Sequence, residues 1–415
     1  MNHGKAVEDF VEYLCRRSFF ADFTFRSPEY HKQGGQKKEA ADVLVVFRGT
    51  LLAIQVRSKE VDAPSGEISS VDSARIWRSI EKATRQFRAF GEALNRPSFT
   101  SFKNGRGITI EFDKKGITDV VLVIIFAPIC KGAPEKEATL TFSETCRPEA
   151  AIPLHLFTLK QFSLLLTLLD TLPDFLLYLD GRWMLHRDKL IPPETDPLDE
   201  WAFATFEQIK LIEVLEKRSF IEISGLLKQH IKSIKRLEKR EKPSYLIDRF
   251  IERMSASAGS QVSIDSRFKT HTVLLEEPNS LNAYHLVIPY LAKLNRNQRG
   301  RLAEEFLIRI GRCEKQPISF GGLKFEGHEE GYLVLASTWN RHERQVALFN
   351  IGRALGFKLK LRKVVCLAAS ANGPEVSPSD AMLIDLSNMT INDTLIEASE
   401  TLFGTINLQR METNQ

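Results

Sequence analysis

Residues 39–60 read EAADVLVVFRGTLLAIQVRSKE, and the position of the polar groups within this stretch decides how the first half of the chain folds. Two apolar runs rich in Val, Ile and Leu, residues 43–47 and 51–56, flank Arg48-Gly49-Thr50, the pattern of two buried strands joined by a tight turn. Polar groups gather only at the open end. Asp42 precedes the first run, while Gln55, Arg57 and Lys59 occupy alternate positions of the second, so a period of two sends all three to one face. A turn at Gly49 returns Gln55 to the side of Asp42. Oxygen ligands gathered by strand pairing suit a hard cation such as Mg2+ or Mn2+, and an adjacent Lys or Arg suits the charge of a phosphate.

Upstream, residues 5–17 place Val7, Phe10, Val11 and Leu14 at helical spacing, with Glu8 and Glu12 one turn apart on another face. Residues 18–26, SFFADFTFR, are aromatic and partly alternating, which predicts a strand. Residues 27–38, SPEYHKQGGQKK, predict a basic loop that sets Lys32, Lys37 and Lys38, together with His31, just ahead of Asp42. Downstream, Ile76, Ile80, Ala83, Phe87 and Phe90 recur at steps of three and four within residues 71–94, a long amphipathic helix crossing behind the hairpin. Its Arg75, Arg78, Lys82, Arg85 and Arg88 suit either DNA or a solvated helix face. Strands are expected at residues 108–112, 120–127 and 155–159, then helices at residues 160–169 and from Pro173 onward.

This order of helix, strand, hairpin, helix and strand, with Asp42 and Gln55 at the hairpin's open end, resembles the PD-(D/E)xK (restriction-endonuclease-like) nuclease superfamily. The similarity is to its Mrr-type branch, in which Gln replaces the second acid, and it covers roughly residues 1–185. The resemblance implies a mixed sheet flanked by helices and a Mg2+- or Mn2+-dependent endonuclease that hydrolyses DNA. It implies Asp42 and Gln55 as metal ligands, Glu39 as a further ligand or orienting group, and an acid from the first helix, Glu8 or Glu12. Asp42, Gln55, Arg57 and Lys59 would form the catalytic set. The departure is Arg57, which stands where the motif has Lys. Arginine stays protonated, so it can clamp a phosphate but cannot serve as a base. Lys59 would then supply the ammonium; otherwise the site binds without cutting. The resemblance also implies a role in prokaryotic restriction or defence against foreign DNA. The alternative is a decayed nuclease fold that serves as a nucleic-acid-binding or protein-interaction subunit, and either form is compatible with a homodimer or a larger system.

A chain of 415 residues holds two or three domains, and residues 190–199, LIPPETDPLD, read as the main linker. The expected organisation is α/β: a nuclease-like domain at 1–189, a linker and basic helical segment at 190–260, and an α/β accessory domain for sensing or recognition at 261–415. Lys plus Arg at 57 against Asp plus Glu at 53 leaves only +4, so clustering has to carry any affinity for nucleic acid. Two clusters stand out. Residues 228–242 contain Lys235, Arg236, Lys239 and Arg240, and residues 295–301 contain Arg299 and Arg301; each is a phosphate-tracking surface or a solvated helix face.

Five cysteines without CxxC spacing indicate neither zinc nor a disulfide framework, which favours a reducing cytoplasm. No secretory pattern is read at the start, and the apolar run at residues 120–128 is too short to span a membrane. A soluble protein is therefore expected. Toward the end, strands at residues 332–338, 364–370 and 381–386 alternate with helices at residues 341–355, capped by Gly356, and 392–403, a pattern that contains a βαβ unit. No glycine-rich phosphate loop, HExxH or GxSxG accompanies them, so no second active site is expected.

Overall fold

The computed structural model describes residues 3–31, 37–61, 70–94, 101–107, 109–111, 116–130, 146–147, 153–191, 197, 200–201, 242–256, 261–265, 270–274, 287–372, 380–387 and 392–403. The fold is mixed α/β, in two compact units, Met1–Ser233 and Ile234–Gln415. This differs from the expected boundary after residue 189. Tyr178 donates to the Pro197 carbonyl at 3.0 Å, and the buried Glu200 accepts from Arg182 and lies 2.6 Å from His186, so this linker-like stretch is tied into the first unit. The helix Ser244–Ala256, expected in a middle segment, belongs to the second unit.

The first unit opens with α1 (His3–Phe19), β1 (Thr24–Arg26), β2 (Glu29–His31), β3 (Lys37–Glu39), β4 (Val43–Phe47) and β5 (Thr50–Val61). It continues with α2 (Ser70–Leu94), β6 (Ser101–Lys103), β7 (Thr109–Glu111), β8 (Asp119–Cys130), β9 (Cys146–Arg147), β10 (Leu154–Thr158), α3 (Leu159–Leu168) and α4 (Leu172–Arg187). The main sheet runs β1-β4-β5-β8-β10-β9, with β5, β8 and β10 mutually parallel and the other pairings antiparallel. The hairpin turns through Arg48 and Gly49, both at positive φ (48° and 89°), the two-residue turn whose twist matches that of paired strands. A Cβ at Gly49 would lie 2.8 Å from the Gly116 carbonyl oxygen, so the turn needs glycine for space as well as for angle.

One face of this sheet carries Leu44, Leu51, Ala53, Leu122, Ile124, Phe126, Leu154 and Leu156, packed against Ile76, Ile80, Ala83, Phe87 and Phe90 of α2. Fully burying a side chain of this size contributes about 2–3 kcal/mol, so this stripe fixes α2 across the hairpin. On the other side, Phe157 of β10 meets Phe162 of α3, which meets Phe175 of α4, which meets Phe19 of α1. That chain of rings corrects the expected strand at 18–26: Phe19 is buried as the last residue of α1, the helix stops at Phe20 with φ 65°, and only Thr24–Arg26 is extended. The expected strand at 108–112 is seen as Thr109–Glu111, paired with β6 in a separate small sheet.

The second unit contains α5 (Ser244–Ala256), β11 (Gln261–Asp265), β12 (Thr270–Leu274), α6 (Ile288–Ala292), α7 (Arg296–Arg312), β13 (Ile318–Leu323), β14 (Glu330–Ser337), α8 (Arg341–Lys358), β15 (Lys363–Ser370), β16 (Asp380–Asp385) and α9 (Asp393–Phe403). Its sheet runs β11-β12-β16-β15-β14-β13, and the parallel pair β14–β15 joined by α8 is the expected βαβ unit. Gly356 is not the cap of α8. It lies inside the helix, where an added Cβ would sit 2.0 Å from Leu386 and 3.0 Å from Val364. The left-handed residue is Lys360 (φ 53°); its N–H donates to Phe357 and that of Leu361 to Gly356, the paired bonds of a Schellman stop. Among the described residues, no helix is long and apolar enough to cross a membrane.

Candidate functional site

Strand pairing sets the site. Val43 pairs with Ile54 and Leu44 with Ala53, so Asp42 and Gln55 continue the ladder on the face that α2 covers, where the apolar stripe gives way to polar residues. Both are buried, with relative exposures of 8% and 4%. The Asp42 carboxylate accepts the Val56 N–H at 2.5 Å, and its own carbonyl accepts from Ser27 at 2.9 Å, which fixes backbone and side chain together. Gln55 directs Nε2 toward the Ala40 carbonyl at 3.5 Å, which leaves Oε1 facing the same point as Asp42.

The guanidinium of Arg57 occupies that point. Its Nη1 donates to Oδ2 of Asp42 at 3.4 Å and to the Val56 carbonyl at 2.8 Å; its Nη2 donates to Oε1 of Gln55 at 2.8 Å and to Oε1 of Gln86. A carboxylate oxygen, an amide oxygen and a backbone carbonyl oxygen therefore converge on one cation, with a second amide reaching in from α2. Gln86 carries no motif. The only sequence signal for it is its place beside Phe87, at the margin of the buried stripe.

Acidic groups crowd the same end. Burial, and then the nearby Glu39 and Glu8, push the Asp42 carboxyl up to about 6, against the opposing pull of the Val56 N–H and Arg57. Glu8 is likewise raised, first by burial and then by Glu39. Of the two candidates on α1, Glu8 is thus the acid that shares a field with Asp42. Glu12 is buried and held by Arg16 at 3.4 Å and Arg26 at 3.1 Å, so its carboxylate is committed to a structural pair rather than to the Asp42 site. Glu39 ends the exposed strand β3. Among the described residues, no three His, Cys, Asp or Glu side chains are placed to hold a metal ion by themselves. The oxygen donors at this point comprise one carboxylate plus amide and backbone carbonyl groups.

Lys59 lies on the face of Gln55 and Arg57, four residues beyond Gln55 and so about 13 Å along the strand. That places its backbone to one side of the Asp42–Gln55 point. Lys37 and Lys38 are exposed on β3, Lys37 within 3.4 Å of Glu29; Lys32 is outside the described residues.

The two distant basic clusters separate. Lys235, Arg236, Lys239 and Arg240 fall outside the described residues. Arg299 is a correction: it is 1% exposed, and its guanidinium donates to Asp248 at 2.7 Å and to the Ala292 carbonyl at 2.7 Å, which joins α7 to α5 from within. Arg296 joins the same carboxylate, whereas Arg301 is half-buried. What reads as a basic patch is largely an internal clamp.

The second unit has its own buried charge cluster at the start of β14. Glu330 takes Lys293 as an ion-pair partner and the hydroxyl of Tyr332 at 2.6 Å, with His328 at 3.2 Å. Against the effect of burial, the bonds from His328, Lys293 and Tyr332 bring its carboxyl down to about 2. Every charge there is matched, and the cluster ties α6 to β14.

No protein-family model, no curated protein and no solved structure matches this chain, so the functional conclusion rests on the Asp42–Gln55–Arg57 geometry itself.

Proposed function

We propose that the first unit is a divalent-metal-dependent nuclease of the PD-(D/E)xK type that hydrolyses DNA phosphodiester bonds, acting in prokaryotic restriction or defence. The observation that carries this is the convergence of Asp42 Oδ2, Gln55 Oε1 and the Val56 carbonyl oxygen on a single cation position at the end of a mixed sheet. The donor set fits Mg2+ or Mn2+, which take hard carboxylate and carbonyl oxygens and keep several waters. Asp42, Gln55 and the Val56 carbonyl would hold the ion, with Glu8 and Glu39 adding negative field. Bound there, the ion would lower the pKa of a water and neutralise a phosphate oxygen.

The chain's own residues do the rest. Arg57 offers five N–H donors in a fixed fork that matches a phosphate, so it stabilises the charge gathering on phosphorus oxygens. It cannot take a proton from water. Lys59, further along the same face, would meet the phosphate from its flank as a compact ammonium. Lys37 and Lys38, exposed on β3, add attraction for the strand.

One observation favours a second possibility, a nuclease fold that binds nucleic acid or a partner subunit without cutting: Arg57 already rests on the oxygens a metal would need. Incubation of supercoiled plasmid, linear DNA and RNA with Mg2+ or Mn2+, each with an EDTA control, separates the two. EDTA-sensitive cleavage that disappears in Asp42→Ala supports the nuclease; binding with no cleavage in either metal supports the alternative.

A further inference from the structure

We propose that Arg57 is a resident cation that competes with a divalent metal for the same oxygens and thereby sets the metal affinity of the site. This rests on the metal-dependent reading of the Asp42–Gln55 position. Each candidate metal donor is already satisfied by the guanidinium: Asp42 Oδ2 at 3.4 Å, the Val56 carbonyl at 2.8 Å and Gln55 Oε1 at 2.8 Å. A metal held by these three oxygens would stand at the point where they converge, which the guanidinium fills, and two cations cannot occupy one point. Entry of the ion must therefore displace Arg57, and the displaced guanidinium remains tethered nearby, where like charge opposes the incoming ion.

Gln86 makes the competition specific. It is exposed on α2 and adds an oxygen to the guanidinium from outside the strand pair. Arg57 is held in place from α2 as well as from its own strand, so the closed arrangement is braced by a residue that belongs to neither strand of the hairpin. Arginine suits this role where lysine would not. A planar fork can span oxygens of Asp42, Val56, Gln55 and Gln86 at once, whereas an ammonium is a point charge with three donors. The departure from the usual Lys then has a physical consequence beyond the loss of a base. It makes the site self-occluding when metal is scarce and frees the guanidinium for phosphate when metal is present.

The test is Mn2+ binding by the full chain, followed by the loss of the free-ion paramagnetic resonance signal, without reference to activity. Arg57→Met removes the competitor while keeping a long side chain, and it should bind Mn2+ at least tenfold more tightly than the parent. Gln86→Ala, an exposed change that leaves Asp42, Gln55 and Val56 intact, should also tighten binding, by twofold to fivefold. Adding Asp42→Asn to Arg57→Met should abolish the site. Equal Asp42-dependent binding by the parent, Arg57→Met and Gln86→Ala would overturn the competition and leave the metal site standing. Weaker binding in Gln86→Ala would make Gln86 a ligand rather than a brace and would also overturn it. Absence of Asp42-dependent Mn2+ binding in every variant would remove the metal-dependent nuclease itself.

Discussion

Asp42→Asn should stabilise the metal-free protein at neutral pH. The Asp42 carboxyl rises from an ordinary 3.8 to about 6 in the folded state, with burial as the leading cause. Between these values the native state holds a proton that the unfolded chain has lost. The stability tied to this group is therefore fully present below about pH 4 and is lost as pH rises through about 6. A shift of about two units at 1.36 kcal/mol each gives a ceiling near 3 kcal/mol of destabilisation at pH 7.5. Asparagine keeps the shape and removes the charge. It can still accept the Val56 N–H, but it turns an amide donor toward Arg57, so a net gain of about 1–2 kcal/mol is expected. For a unit the size of Met1–Ser233 that is a rise of about 3–6 °C in Tm. Calorimetry in EDTA should show this gain at pH 7.5 and little or none at pH 5, where the parent's Asp42 is mostly protonated and the charge relieved, about half as large, is offset by the amide facing Arg57. A lower Tm for the Asn protein at pH 7.5, or a gain that does not change with pH, would refute a carboxylate held against its own ionisation.

Glu330→Gln leaves the Lys293 ammonium buried without its carboxylate and should cost the second unit about 3 kcal/mol in urea unfolding at pH 7. Because the folded carboxyl lies near 2, below its ordinary 4.5, that advantage holds above pH 4.5 and fades toward pH 2; a parent and variant that unfold alike at pH 7 would contradict the pairing. Gly356→Ala should lose about 1–2 kcal/mol, since overpacking against Leu386 outweighs a helix gain of about 1 kcal/mol, while Lys360→Gly should gain a few tenths to 1 kcal/mol. A loss of stability in both substitutions would return the cap to Gly356. Arg299→Gln should lower the stability of the second unit by about 3 kcal/mol and leave the salt dependence of any DNA binding unchanged; a salt slope reduced by one would restore Arg299 as a phosphate contact.

The hairpin and α2 were legible because their signals are local. A strict alternation at 55, 57 and 59 and a three-and-four spacing from Ile76 to Phe90 survive in any tertiary context. The end of α1 was not legible, since Phe19 and Phe25 look alike in sequence and only packing against Phe175 or Phe102 separates helix from strand. Arg299 reads as a surface base because its partner Asp248 lies 51 residues away. Glu8 and Glu12, one turn apart, are equivalent until Arg16 and Arg26 claim the second. At the site itself, spacing sets Asp42 beside Gln55 and Arg57 on the face of Gln55, and the resemblance supplies their roles. The contact among them did not, because an Arg side chain folding back over its own strand leaves no periodic trace.

The charge balance at this sheet end differs from that of the buried clusters around Glu330 and Glu200. At Glu330 and at Glu200 every buried carboxylate is met by a cation, and both carboxyls are held below their ordinary values. At Asp42 the opposite holds: Asp42 and Glu8 are both raised, Glu39 adds to each, and the opposing cations are Arg57 and Arg26, of which Arg26 is also paired with Asp9 and Glu12. Burial leads both shifts and the neighbouring acids add to them, so an added positive charge, a proton or a metal, lowers the energy of the ionised Asp42. An apolar pair at 42 and 55 would simply extend the Leu44–Ala53 stripe, and replacing buried charge with packing is often stabilising. That the chain keeps a charged pair here, and rests the Arg57 guanidinium on three oxygens, is what supports the proposed exchange of that cation for a metal.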